Sequence, residues 1–220
     1  MFITAVSPNP RRTGRFDIAV DGGIAATLSI ETVERLRLAV GVPVDEQLGA
    51  ALQREAALVS TYDRAINMLA LRARSAVELR RLLLRKGEPA DLADAAIERL
   101  LRAGFLDDAS FARQFARSKF LGAGLSRRRV QQELARRGVA REIADAAVAE
   151  VFAEEHVDEE GTLDRVARRK LKSLAQLDAP TQRRRLYAFL ARRGYDSDDI
   201  ARTLRSLMSR DQVVETVSSD

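Results

Sequence analysis

The chain has 220 residues, 46% of them hydrophobic, with no cysteine, no tryptophan and 37 Lys+Arg against 32 Asp+Glu, a formal charge of +5. This composition supplies a core, excludes disulfides, thiolate catalysis and cysteine-ligated metals, and points to nucleic acid or an acidic protein surface as the partner class. No apolar run approaches the roughly 20 residues a bilayer requires, and Met1-Phe2-Ile3-Thr4 lacks the charged-then-apolar layout of a signal peptide, so a cytoplasmic protein without membrane contact is expected.

In chain order, residues 2–6, 15–20 and 24–30 are short segments with β-branched or aromatic content, and Asp21-Gly22-Gly23 between the last two is a hairpin signal. A small antiparallel sheet is predicted. A lone hairpin is marginal in water, so the sheet is expected to pack on a helix over 32–40, where Val33, Leu36 and Val40 share a face. Gly41-Val42-Pro43 breaks that helix, and another begins near Asp45 and runs to about Val59.

From there a three-helix unit recurs three times, pivoting on Lys86-Gly87, Arg137-Gly138 and Arg193-Gly194. Eight positions before each glycine stands an apolar residue (Leu79, Val130, Leu186), and four before it another (Leu83, Leu134, Leu190), the i, i+4 spacing of one helix face. An arginine precedes each glycine by two (Arg85, Arg136, Arg192), and an acid follows by four (Asp91, Glu142, Asp198).

Helices are predicted near 62–72, 75–86 and 89–103, then 108–120, 126–137 and 140–155. The third unit places its first helix over 158–174, its second after the Pro180 turn and its third from 196–199. Ser75 with Glu78 forms a capping box, Gly87 a left-handed stop, Pro89 a first-turn residue, and Ser126 opens the helix after the Gly122/Gly124 loop. The domain boundaries are 1–58 for the β-containing region, 59–106, 107–155 and 156–208 for the repeats, and 209–220 for a disordered tail with little periodicity. Modules of about 50 residues are marginal alone, so stacking is expected. The fold class is mainly α: three tandem three-helix repeats forming an elongated curved molecule, preceded by a small N-terminal sheet with helices.

The basic excess gathers on the second helix of each repeat. Arg80, Arg81 and Arg85 lie along the first, and Arg127-Arg128-Arg129 and Arg183-Arg184-Arg185 open the other two. With Leu79, Val130 and Leu186 facing inward, Arg85, Arg128, Arg129, Arg136, Arg184, Arg185 and Arg192 point away from the core. With Arg81 these form the candidate binding row. A guanidinium is a planar fork of donors that grips two phosphate or carboxylate oxygens at once. Arg137 and Arg193 point closer to the core and are assigned to the helix seam.

No constellation signals catalysis. Asp107-Asp108 diverge by about 100° on a helix start and are assigned a capping role, His156 is a lone histidine at a solvated helix start, and Phe105, Phe111, Phe115 and Phe120 are assigned to packing. Gly22-Gly23 and Gly122-Ala123-Gly124 lack the completion a phosphate loop needs. A non-enzymatic protein with no catalytic, cofactor-binding or metal-binding residue is expected.

Residues 65–207 resemble the RecX family, bacterial regulators of the RecA recombinase. The resemblance is carried by Arg72-Ala73-Arg74-Ser75 with Glu78-Leu79, Lys86-Gly87, Gly104-Phe105-Leu106-Asp107-Asp108 with Phe111-Ala112, Gly124 with Arg129-Val130 and Glu133-Leu134, Gly138-Val139, and Phe189-Leu190 with Arg193-Gly194-Tyr195. It implies a protein of tandem three-helix repeats that lies in the groove of RecA filaments on single-stranded DNA and suppresses ATP hydrolysis, strand exchange and SOS co-protease activity; separately, a monomer is expected. Double-stranded DNA is a further candidate partner. The competing reading is a basic DNA-binding protein that antagonises RecA by competing for DNA. Two departures from the family pattern stand out: the strand-rich first 58 residues are more elaborate than its minimal form, and Ile200 lies six positions after its glycine where Leu92 and Ile143 lie five after theirs.

Overall fold

The computed structural model describes residues 1–217, with side chains to Met208; of the expected tail, 218–220 lie outside the described residues. The chain forms two compact units, Met1–Asp107 and the residues from Asp108 onward.

In the first unit, alternating apolar residues build β1 (Ile3–Pro8), β2 (Arg15–Val20) and β3 (Gly23–Ser29), an antiparallel sheet in the order β1-β2-β3. The register runs from Ile3↔Val20 to Pro8↔Phe16 and from Arg15↔Ser29 to Val20↔Gly23. Asp21 and Gly22 close the second hairpin with φ of 49° and 86°, the two positive values a type I′ turn demands. On β2, Asp17 accepts hydrogen bonds from Thr27 Oγ1 (2.6 Å) and Asn9 Nδ2 (2.9 Å), which hold its carboxyl below the usual value.

Ser29 then caps α1 (Ile30–Arg35), which ends well before the expected 40. Arg37 takes a left-handed φ of 50°, and the Arg37 and Leu38 N–H groups bond back to the Glu34 and Val33 carbonyls. That is the Schellman closure, with an arginine where glycine is usual. Leu38 is thereby buried, whereas Val40 is exposed. The helix that covers the sheet is instead α2 (Glu46–Leu71), whose Leu48, Leu52 and Ala56 join Ile3, Ile18, Ala26 and Leu28 in one core.

Asp45 caps α2 through the Leu48 N–H. The two helices expected over 45–59 and 62–72 are one continuous helix, because no glycine or proline stands at the junction between them and the Thr61 hydroxyl donates to the Ala57 carbonyl within the turn. Its second half opens the first repeat, which continues as α3 (Ala76–Arg85) and α4 (Ala90–Arg102). Ser75 accepts from the Glu78 N–H, and Pro89 immediately precedes α4.

The second unit holds repeats two and three: α5 (Asp108–Arg117), a π-helical turn (Ser118–Ala123), α6 (Arg127–Arg136) and α7 (Arg141–Glu154), then α8 (Glu159–Lys172), α9 (Ala179–Arg192) and α10 (Ser197–Val217). The first helix of repeat two thus reaches only Arg117 as an α-helix, and the π-turn leads to Gly124 in the left-handed region. Helix α10 continues through 209–217, the segment of low periodicity.

The repeated face is the core of every repeat. Leu79, Leu83, Val130, Leu134, Leu186 and Leu190 are all fully buried, each contributing about 1.5–3 kcal/mol of transfer free energy. Fully buried alanines on the first helices (Ala65, Ala112, Ala116, Ala167) let the other two approach closely. Ile200, despite its shifted position, is fully buried as well. Phe111, Phe115 and Phe120 pack as expected, Phe120 edge-on to Phe152 at 5.2 Å, but Phe105 is 63% exposed because Leu106 takes the inward position. His156 does not start a helix. It closes α7 at φ 47°, its Nδ1 2.8 Å from the Ala153 carbonyl, and Asp158 caps α8.

Repeats two and three are joined through the end of α9. The Ser126 N–H donates to the Arg193 carbonyl (3.0 Å), the Arg193 guanidinium to the Ala123 carbonyl, and the Tyr195 hydroxyl to the Gly124 carbonyl (3.1 Å). The Arg127 N–H meets Glu159 Oε1 at 2.9 Å.

Candidate binding interface

The second helix of each repeat is amphipathic by construction: with two apolar residues turned inward, the intervening positions are left to solvent. Arg81 and Arg85 on α3, Arg128 and Arg136 on α6, and Arg184, Arg185 and Arg192 on α9 are exposed. Arg129 departs from the expected row. It is half-buried, its Nε lies 3.2 Å from Glu133 Oε1, and its Cα and Cβ back onto Gly194. The side chain therefore belongs to the seam between repeats two and three as much as to the surface.

Five arginines of the row differ in their surroundings from many other cations. Elsewhere many acids are already engaged: Asp94 holds Arg80, Asp63 holds Arg15 (2.7 Å) and Arg12 (3.3 Å), Glu31 holds Arg99 (2.8 Å), and Glu154 and Glu155 hold Arg117. The Arg80 pair depresses the Asp94 pKa through its hydrogen bonds. Among the described residues, no carboxylate forms a salt bridge with Arg85, Arg128, Arg184, Arg185 or Arg192. Uncompensated guanidinium groups raise the local positive potential and attract anionic partners from a distance set by the ionic strength.

The residue just before each pivot glycine behaves differently. Arg137 stacks its guanidinium 4.7 Å from the Phe115 ring centroid, and Arg193 lies 4.4 Å from that of Phe189, as their seam assignment requires. Lys86 is exposed. Burial and the neighbouring Arg169 charge lower the Arg193 pKa, only partly opposed by Tyr195.

A second basic cluster escaped the sequence reading. Arg165, Arg169 and Lys170 on α8 lie beside Phe189 and Arg193, around a cleft roofed by the π-turn. The i, i+4 spacing of Arg165 and Arg169 was the available signal, but without the π-turn nothing marks them as lining a concavity. No carboxylate lines this cleft. Among the described residues, no group of three His, Cys, Asp or Glu side chains is placed to hold a metal ion, and no helix is long and apolar enough to cross a membrane.

Three family models match this chain in order: the RecX first three-helix domain over residues 62–100, the second over 107–148 and the third over 158–204. The regulatory protein RecX of Amycolatopsis mediterranei is 38% identical over 129 residues, covering 59% of this chain and 72% of the relative. That of Levilactobacillus brevis is 29% identical over 197 residues, 90% of this chain and 73% of the relative, an alignment too long to be confined to the repeats. A crystal structure of regulatory protein RecX superposes with a TM-score of 0.75 at 18% identity, covering 93% of this chain and 98% of that one. The fold so shared includes most of the N-terminal region, so that region is no elaboration peculiar to this chain.

Proposed function

This chain belongs to the RecX family, and from that premise we propose that it inhibits RecA by binding in the groove of RecA–single-stranded DNA filaments, lowering ATP hydrolysis, strand exchange and SOS co-protease activity. It acts in the cytoplasm as a monomer without cofactor, and its action is binding, not chemistry. The observation that carries this reading is the recurrence of exposed arginines at equivalent positions of three buried frameworks, Arg85, Arg136 and Arg192 above all. A filament repeats its own surface, and a protein that repeats its contact residues can engage several protomers together. Linked contacts of this kind gain affinity beyond any single one.

The same exposed guanidinium groups favour a second reading, competition with RecA for DNA phosphates. Charge reversal tests the row in both cases. In R85E/R136E/R192E, filament affinity is expected to fall by about tenfold or more, as loss of complementary charge at an interface entails, with helical circular dichroism unchanged. Normal dichroism with undiminished filament affinity would remove the row from the mechanism.

A further inference from the structure

The π-turn between α5 and α6 has a consequence for the third repeat. By carrying the chain through Leu121, Gly122 and Ala123 instead of completing α5, it overhangs the α8–α9 pair and encloses a cleft of about 400 Å³. That size falls at the lower end of the range of small-molecule sites, roughly 300–1,000 Å³, and is ample for a nucleotide. Four cationic side chains line it: Arg165, Arg169 and Lys170 from α8, and Arg193 from the end of α9.

Little within the protein satisfies these cations. Arg165 spends one guanidinium nitrogen on Thr162 Oγ1 (3.2 Å), and Lys170 rests its ammonium 5.4 Å from the Phe189 centroid. Among the described residues, Arg169 has no hydrogen bond or ion pair. Arg193 is the most constrained. One terminal nitrogen donates to the Ala123 carbonyl and its face covers Phe189, but its Nε is a buried donor with no acceptor. A buried unpaired donor costs about 1–3 kcal/mol, and like charges gathered around one concavity repel. The ion pairing that holds Arg15, Arg80, Arg99 and Arg117 elsewhere in the chain is, among the described residues, absent from this cleft. A bound anion would supply the missing acceptors.

We propose that the cleft beneath the π-turn is a phosphate-binding pocket of nucleotide size, formed by Arg165, Arg169, Lys170 and Arg193 and distinct from the outward arginine row. Its ligand chemistry is a phosphate or diphosphate group, brought either by a free nucleotide or by a nucleotide unit of a single strand. Guanidinium forks grip the phosphate oxygens bidentately, and the lysine adds a compact charge. The lowered pKa of Arg193, caused by burial and by Arg169, is consistent with a positive field awaiting its counter-charge. The pocket does not depend on any action upon RecA.

The test is calorimetric titration of the full chain with pyrophosphate, with ADP and with an oligothymidylate bearing no terminal phosphate. R169Q/K170Q is compared with R141Q/R205Q, which removes equal charge from exposed positions outside both the cleft and the arginine row. Removing charge-assisted hydrogen bonds to phosphate is expected to weaken pyrophosphate and ADP binding by about tenfold in the cleft variant and by less than about twofold in the control. If the small phosphates fail to bind but the oligonucleotide shows the same selective loss, the pocket stands and the strand is its source. Absence of binding by all three probes, or equal loss in both variants, overturns the proposal.

Discussion

Gly194 and Gly87 occupy the same pivot with nearly the same backbone, φ +88° and +87°, yet their surroundings differ. A Cβ at Gly87 would meet nothing within 4 Å, whereas at Gly194 it would stand 2.5 Å from Arg129 Cβ and 3.2 Å from Arg129 Cα. Gly87→Ala should therefore cost only the left-handed penalty, about 1–2 kcal/mol. Gly194→Ala adds overpacking of about 1–3 kcal/mol and strains the seam between repeats two and three. Urea unfolding of the two variants reads the difference, and equal losses would contradict the packing. Tyr195 provides a second residue-scale check. Burial, with the Glu159 charge adding to it, pushes its pKa up to about 12, against opposition from Arg193 and Arg165. An unfolded tyrosine ionises near 10.0, so the stability held by the protonated, hydrogen-bonded hydroxyl is complete below that pH and is lost as pH rises towards 12. Tyr195→Phe should cost about 1 kcal/mol at neutral pH and flatten the decline above pH 10. An unchanged alkaline slope in that variant would show that the decline has another source.

At the scale of the element, the repeats rest on their pairs of inward residues. Leu83→Ala, Leu134→Ala and Leu190→Ala should each destabilise by about 2–5 kcal/mol, while Leu101→Ala, at a position 46% exposed on α4, should cost well under 1 kcal/mol. Thermal unfolding of the four variants measures this, and a comparable loss at Leu101 would contradict the assigned faces. These faces were legible in the sequence because helical periodicity, serine caps and glycine stops all agree within each repeat. The end of α1 was not, since Arg37 adopts a conformation that only a glycine would have advertised. Nor was the unbroken length of α2, because the sheet and the first repeat share one helix where two modules would need two. The π-turn was hidden for a related reason. Gly122 and Gly124 announced a loop, but its path depends on Thr162 and Val166, which pack at Gly124 from a helix some forty residues later. Of the candidate row, the outward direction of six arginines (Arg85, Arg128, Arg136, Arg184, Arg185 and Arg192) followed from the wheel. Arg129 was misplaced because its inward neighbour, Gly194, belongs to the next repeat.

For the whole molecule, the charge excess is small in sum and large in distribution. Acids neutralise cations such as Arg15, Arg99 and Arg117, while Arg85, Arg128, Arg184, Arg185 and Arg192 stand without salt bridges and the cleft beneath the π-turn gathers four more cations with no carboxylate beside them. Repetition of that chemistry in a RecX-family chain is why we propose a filament, and not bare nucleic acid, as the principal partner. Co-sedimentation with RecA filaments assembled on single-stranded DNA with a non-hydrolysable ATP analogue, beside the same DNA alone and across a salt series, separates the two most directly. Selective retention on filaments near physiological salt is the predicted result. Equal binding to bare DNA, with a log–log salt slope of several units at about 0.7–0.9 per phosphate contact, would contradict it and reduce any effect on RecA to competition.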